Sequence, residues 1–194
     1  VIEDSVIHPN WDHLYEIASA QQGLFTTQQA ATAGYSPQLL VHHTGAGKFA
    51  RVRRGIYRLV YFPTGDHDEL VVAWLWSERA GVISHQTALA IHELSDVLPT
   101  RVHLTLPGAW RHRRFRVPTD LVLHHADLTT EDRTWFGAVP LTTPRRTLSD
   151  CAKAALSPEL LGQAARQALR RGLVARTELD DVDRALAPFG GLGA

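Results

Sequence analysis

The sequence predicts an α+β chain in two parts, and three observations point to it. Residues 26 to 60 carry two closely spaced helix-start signals, then a basic alternating stretch turned at Gly55. Residues 101 to 141 carry several short strand patterns. Residues 143 to 187 read as consecutive helices, each opened by a Ser or Thr cap. The turn-rich Phe62-Pro63-Thr64-Gly65 separates the two parts. The expected domains are 10–62 and 66–187, with flexible tails over 1–9 and 188–194.

In the first part, Asn10 is placed to cap a helix whose buried face is Trp11, Leu14, Tyr15 and Ala18, and Gly23 ends it. Leu24-Phe25 reads as a short strand. Thr26 is an N-cap, and Gln29 three residues later completes a capping box. Gly34 closes that short helix where the chain turns left-handed, and Ser36-Pro37 opens the next as N-cap and first helical residue. Two short helices joined through a Gly-containing turn are the signature of a helix-turn-helix. Ala30 lets the helices approach, and Leu40 fills the space between them.

The second helix has two faces. Gln38, Val41 and His42 share one; Leu39, Leu40 and His43 share the other, which should pack inward. The outer face then suits a major groove. Gln pairs bidentately with adenine, and an apolar Val suits a thymine methyl. Ser36, Gln38, Val41 and His42 are therefore the candidate base-reading residues. Thr27 and Gln28, at the start of the preceding helix, join the candidate DNA-binding set.

A β-hairpin wing follows. Lys48, Arg51, Arg53, Arg54 and Arg58 fall within residues 48–58, and no Asp or Glu occurs between Glu16 and Asp66. Gly55 turns the hairpin and Ile56 to Val60 forms its return. Strand alternation puts Arg51 and Arg53 on one face and Val52 on the other. The five cations are the candidate grip on the DNA backbone. The first part is thus expected to be a winged helix-turn-helix that pairs Leu24-Phe25 with the wing.

The second part is expected to be mixed α+β. Asp66 with Glu69 gives a capping-box-like start to a helix containing the apolar run Leu70 to Trp76. Ser84 caps a helix ending near Leu94. Arg101 to Leu106 alternates as a half-exposed strand, and further strands are expected at 114–117, 121–125 and 134–141. Thr143-Pro144 opens a helix with Leu148, Cys151, Ala152 and Ala155 on one face. Ser157-Pro158 opens the next, which Gly172 ends. Thr177 caps a last helix with Leu179, Val182 and Leu186 inward, and Pro188 stops it.

Composition narrows the function. Formal net charge is zero over 194 residues, so any nucleic-acid signal is local rather than global. One cysteine, Cys151, excludes an intramolecular disulfide and suits a reducing, cytoplasmic setting; no signal peptide or membrane span is apparent. The eleven histidines invite a metal reading. His85 and His92 lie two helical turns apart, too far to grip one ion, and His124 and His125 point to opposite faces of a strand. No metal site is expected, nor any cofactor. Catalysis is not expected either: Cys151 belongs to an apolar helix face, Ser84 and His85 diverge as neighbours on a helix, and no Gly-rich phosphate loop or Asp…Glu-x-Lys nuclease pattern is present. A second basic cluster, Arg111, Arg113, Arg114 and Arg116, is flanked by Trp110 and Phe115. It reads equally as a second DNA contact, a partner surface or a solvated loop. Arg145 and Arg146 stand at a helix start, where positive charge opposes the macrodipole, so they are candidates for an external anion.

The run LFTTQQAATAGYS…GKFARVRRGIYRL resembles the N-terminal winged helix of AbiEi-type antitoxins of type IV toxin–antitoxin systems. The LFTT-xx-A-xxx-G opening and the RGIYRL wing carry the match. SHQTALAIHEL (84–94), VHLTLP (102–107) and PLTTPRRTLSDC (140–151) resemble the C-terminal domain of the same antitoxins, so the resemblance spans about residues 10–187. It departs at His42-His43, where more basic or apolar residues are expected. The resemblance implies an autorepressor that binds double-stranded DNA at an inverted repeat in its own promoter. It also implies an antitoxin that counters a nucleotidyltransferase-like toxin encoded nearby, with no stable complex required. Two other classes stay open: a nucleic-acid-processing relative of a nuclease family, and a protein-interaction module without specific DNA binding.

Overall fold

The computed structural model describes residues 8–192. The chain divides into two compact units between Arg79 and Ala80, C-terminal to the Phe62–Gly65 break expected from sequence. The expected tails at 1–7 and 193–194 lie outside the described residues.

In the first unit Asn10 caps α1 (Trp11–Ser19), its side chain accepting from the His13 amide. Leu14 and Ala18 are buried as expected, but Trp11 and Tyr15 are 47% and 46% exposed. β1 (Leu24–Thr26) leads directly into α2 (Thr27–Thr32), and the Thr26/Gln29 capping box is complete. Gln29 does more than cap: its amide and that of Gln21 exchange two hydrogen bonds of 2.9 and 3.2 Å. Gly34 turns at φ +83°, and Ser36 caps α3 (Pro37–Gly45) with Pro37 in its first turn.

α3 runs into β2 (Phe49–Arg53), which pairs with β3 (Ile56–Leu59). β1 completes an antiparallel sheet of order β1-β3-β2. Pairing fixes the faces. Phe25 opposes Tyr57 and Phe49 opposes Leu59, so these four share the face turned to Leu14, Ala30 and Leu40 in the core. Leu24 opposes Arg58 and Thr26 opposes Ile56 on the other face. α4 (Asp68–Trp76) packs against β1 and β3. Its helix is as expected but its cap is not: His67 holds the N-cap position with no side-chain capping hydrogen bond, and Asp68, not Asp66, accepts from the Gly65 amide.

The second unit is built on a five-stranded mixed sheet. Its strands are β4 (Val82–Ile83), β5 (Val102–Leu106), β6 (Leu121–His125), β7 (Arg133–Phe136) and β8 (Val139–Thr142). Their order is β6-β5-β4-β8-β7, with β5/β6 and β4/β8 parallel. The single strand expected at 134–141 is a hairpin turned at Gly137, whose φ is +54°. The strand expected at 114–117 does not form; those residues belong to an exposed crossover that carries the chain from β5 to its parallel neighbour β6. β5 is not half-exposed, because Thr105 is 2% exposed beneath Ser84.

The helices are α5 (His85–Ile91), α6 (Pro144–Lys153), α7 (Pro158–Arg170) and α8 (Asp180–Leu186). Thr143 and Ser157 cap α6 and α7 as expected. Thr177 does not cap α8: it lies in a 3-10 turn, and Leu179 holds the cap position. α5 ends at Ile91 rather than near Leu94, and Ala155 lies beyond α6 with φ +53°. Leu89, Leu148, Leu161, Val182 and Leu186 meet in the helical core. Leu192, in the stretch expected to be a mobile tail, is 5% exposed within that core.

The turn at Gly34 carries a test. A Cβ there would meet the His8 carbonyl oxygen at 2.4 Å, whereas one on Gly47, also left-handed at φ +70°, would meet nothing within 4 Å. Gly47→Ala should cost about 1 kcal/mol for backbone conformation alone. Gly34→Ala should cost clearly more, read from urea denaturation midpoints. Equal losses would show that the His8 contact yields freely.

Candidate nucleic-acid interface

α3 is held by one buried side chain and exposes the face expected from its periodicity. Leu40 is 2% exposed, whereas Gln38 and His42 lie in solvent and Val41 is 71% exposed. The Ser36 hydroxyl accepts from the Leu39 amide at 3.3 Å, so it serves the cap and orients the helix start. On the inner side His43 packs its ring 5.0 Å from Phe49.

Thr27 and Gln28 are exposed at the start of α2. The Thr27 amide donates to the Gly55 carbonyl at 3.0 Å, so the wing turn is tied to that helix start. Thr27, Gln28 and Arg54 consequently share the rim of one surface depression. The structure brings Arg54 to the adjacent Thr27 and Gln28 from well along the chain.

The remaining wing cations diverge. A β-bulge between Arg51 and Arg53 shifts the register, so Arg51 opposes Tyr57 and Arg53 opposes Ile56. Tyr57 and Ile56 lie on opposite faces of β3, so Arg51 and Arg53 do not share a face as alternation suggested; the bulge inserts one extra residue. Arg51 and Arg54 are exposed and Arg53 is half-buried. Arg58 is 12% exposed and paired with Asp68 of α4. Its position opposite Leu24 and Ala50 turns it to the α4 face, away from any backbone-gripping role. Lys48 is exposed beside His43, before β2 begins.

In the second unit Arg145 and Arg146 are not free for an anion. Both reach Asp132 at 3.2 Å, and Arg146 also holds Asp150 at 2.9 Å. Burial raises the Asp132 pKa, but the Thr129 amide and hydroxyl and both arginines outweigh it and hold the carboxyl below its usual value. For Asp150, burial outweighs Arg146 and the pKa is raised. Sequence reading missed the partners because they lie in other segments. The 108–118 crossover stays outward: Arg111, Arg113, Arg114 and Arg116 are exposed, with Arg113 stacked 4.2 Å over Trp110.

Three histidines that sequence spacing treated separately meet inside this unit. His85 stacks on His124 with ring centroids 3.4 Å apart, and His103 Nδ1 and His124 Nε2 share a hydrogen bond of 3.1 Å. Ser84 and His85 do not diverge: His85 has φ +51°, and its Nδ1 lies 3.0 Å from Ser84 Oγ, which also accepts from Thr105. Ser84 and His85 are 0% and 7% exposed, which suits internal packing rather than attack on a substrate. No group of three or more His, Cys, Asp or Glu among the described residues is arranged to hold a metal ion. Burial pushes the Cys151 thiol up to about 12. No helix of the described residues is long and apolar enough to cross a membrane.

Residues 12–60 match the family described as "Transcriptional regulator, AbiEi antitoxin". That stretch runs from α1 through the hairpin and contains the α2–turn–α3 helix pair. Among solved structures the chain is similar to the RV2827C protein from Mycobacterium tuberculosis. The TM-score is 0.50 at 14% identity, over 92% of this chain and 76% of that one, a likeness of fold. No curated protein matches the chain.

Two measurements follow from these placements. Arg58→Ala should destabilise folding by about 1–3 kcal/mol, because it leaves a partly buried carboxylate unpaired, while Arg54→Ala should leave stability within about 0.5 kcal/mol. Chemical denaturation separates the two. Burial, then the neighbouring imidazoles, lower His85 to about 3 and His124 to about 4 from 6.5. The unfolded chain therefore binds more protons, so stability is full above pH 6.5 and falls as pH drops toward those folded values. The His85 contribution is about 1.4 kcal/mol per pH unit. A stability profile flat from pH 7 to 5 would contradict the burial of neutral rings.

Proposed function

We propose that the chain is a transcriptional autorepressor that binds double-stranded DNA at an inverted repeat in its own promoter. We further propose that it is the antitoxin of a type IV system. It would act in the cytoplasm against a nucleotidyltransferase-like toxin encoded nearby, without needing a stable complex. The single observation that carries the DNA reading is α3. Its outer face of Gln38, Val41 and His42 stands in solvent on a buried Leu40, and the helix passes straight into a basic hairpin. An apolar side chain 71% exposed between polar neighbours is suited to a thymine methyl, beside a glutamine suited to adenine. Arg51 and Arg54 then supply backbone contacts with Lys48, while Arg53, half-buried on the other face, stands apart, and Thr27 and Gln28 approach the same strand beside the wing's turn. Arg58 drops out of this set through its pairing with Asp68.

The antitoxin half rests on the AbiEi match over residues 12–60 and on the resemblance of 84–94, 102–107 and 140–151 to the C-terminal domain of such antitoxins. Arg111, Arg113, Arg114 and Arg116 offer this second unit a surface for DNA or for the toxin. The reading contains no catalytic step and no cofactor.

Gel shift and footprinting across a salt series, with DNA from upstream of the gene, test it. A protected inverted repeat should persist against competitor DNA. Arg51→Ala and Arg54→Ala should each reduce the slope of log K against log salt by about 0.9, at all sequences alike. Gln38→Ala should instead lower discrimination between sites by about 1–3 kcal/mol and leave the slope unchanged. Binding that is weak, unspecific and erased by moderate salt would overturn the repressor reading.

A further inference from the structure

Trp11 and Tyr15 stand about half exposed on α1, one turn apart, although the same helix buries Leu14 and Ala18 completely. They are not scattered surface residues. Their ring centroids lie 6.1 Å apart, and Phe62 lies 6.4 Å from Tyr15. With Tyr35 they wall a cavity of about 430 Å³ within the first unit. That volume falls in the roughly 300–1,000 Å³ range of small-molecule sites, which are apolar with a few convergent polar groups.

Two polar groups converge here. Lys48 brings a cation to the lining, and no Asp or Glu among the described residues lines the cavity. The His43 ring also lines the cavity, although its Nδ1 is closed off from it and has no hydrogen-bond partner among the described residues. Burial, then the nearby Lys48, lowers the His43 pKa, so the ring stays neutral and offers one hydrogen bond without a second positive charge.

We infer that this cavity is a binding site for a small planar aromatic acid. The ring would lie among Trp11, Tyr15, Tyr35 and Phe62 in offset or edge contacts, which aromatic pairs favour. The carboxylate would meet Lys48. A cationic ligand is disfavoured by Lys48, and an aliphatic one would forgo the ring contacts that Trp11, Tyr15, Tyr35 and Phe62 offer. The inference does not depend on the DNA-binding reading.

Titration of the full chain with indole-3-carboxylate, followed by proton–nitrogen NMR, tests it directly. Indole and cyclohexanecarboxylate serve as comparison probes. Saturable shifts are expected at the Trp11 indole, His43 and Lys48. Lys48→Gln should weaken indole-3-carboxylate about fivefold while changing indole little. Tyr61→Ala should weaken both aromatic probes by a similar factor; Tyr61 also lines the cavity and is 90% exposed, so its loss leaves the fold intact. No saturable shift at probe concentrations on the order of millimolar would overturn the inference. So would equal affinity for cyclohexanecarboxylate, or affinity untouched by both substitutions.

Discussion

The first unit hangs on a corner where a strand becomes a helix with no linker between them. Thr26 ends β1 and caps α2, and Gln29 returns the bond to the Thr26 amide at 2.9 Å. The same glutamine side chain is then fixed by the reciprocal amide pair with Gln21. A capping residue ordinarily settles one helix terminus, worth about 1 kcal/mol. Here the cap also sets the angle between the sheet and the helix-turn-helix. Because β1 pairs with β3, and the Thr27 amide reaches Gly55, the wing is placed by the same corner. The direction of α3 and the position of the wing turn are therefore linked through one polar knot.

Pairing in the small sheet sorts the arginines into different tasks. The hairpin's positive charge looks uniform along the chain, yet strand register sends Arg58 to Asp68, and the bulge separates Arg51 from Arg53. An ion pair that ties α4 to the sheet has structural value only because Arg58 is mostly covered; exposed pairs contribute little. Arg51 and Arg54, by contrast, are exposed to solvent. The same sheet thus separates charge that holds the unit together from charge available to a ligand.

The second unit buries several polar side chains. Asp132 and Asp150 are buried against Arg146, Thr142 and Thr147 share a buried hydrogen bond, and Ser84, His85 and Thr105 form a third group. Groups of this kind stabilise less where a member goes unsatisfied, as the Asp150 Oδ2 does among the described residues, which makes them demanding of geometry. They explain why PLTTPRRTLSDC and SHQTALAIHEL read as motifs: the former supplies Thr142, Arg146, Thr147 and Asp150, the latter Ser84 and His85. The neutrality of the stacked histidines is the condition for their contact, since two charged rings at 3.4 Å would repel.

The sequence by itself determined the local elements. The caps at Asn10, Thr26, Ser36, Thr143 and Ser157, the left-handed Gly34 and the inward Leu40 were legible because each depends on residues within four positions of one another. The outer face of α3 was legible for the same reason, since helical periodicity alone defines it. Tertiary structure decided everything that depends on distant partners: Arg58 with Asp68, Arg145 and Arg146 with Asp132, the meeting of His85, His103 and His124, and the burial of Leu192. The bulge in β2 and the cavity beside Trp11 and Tyr15 belong with these. Charge and polarity are properties of a residue, but whether a charge is free or neutralised is a property of what the fold places next to it.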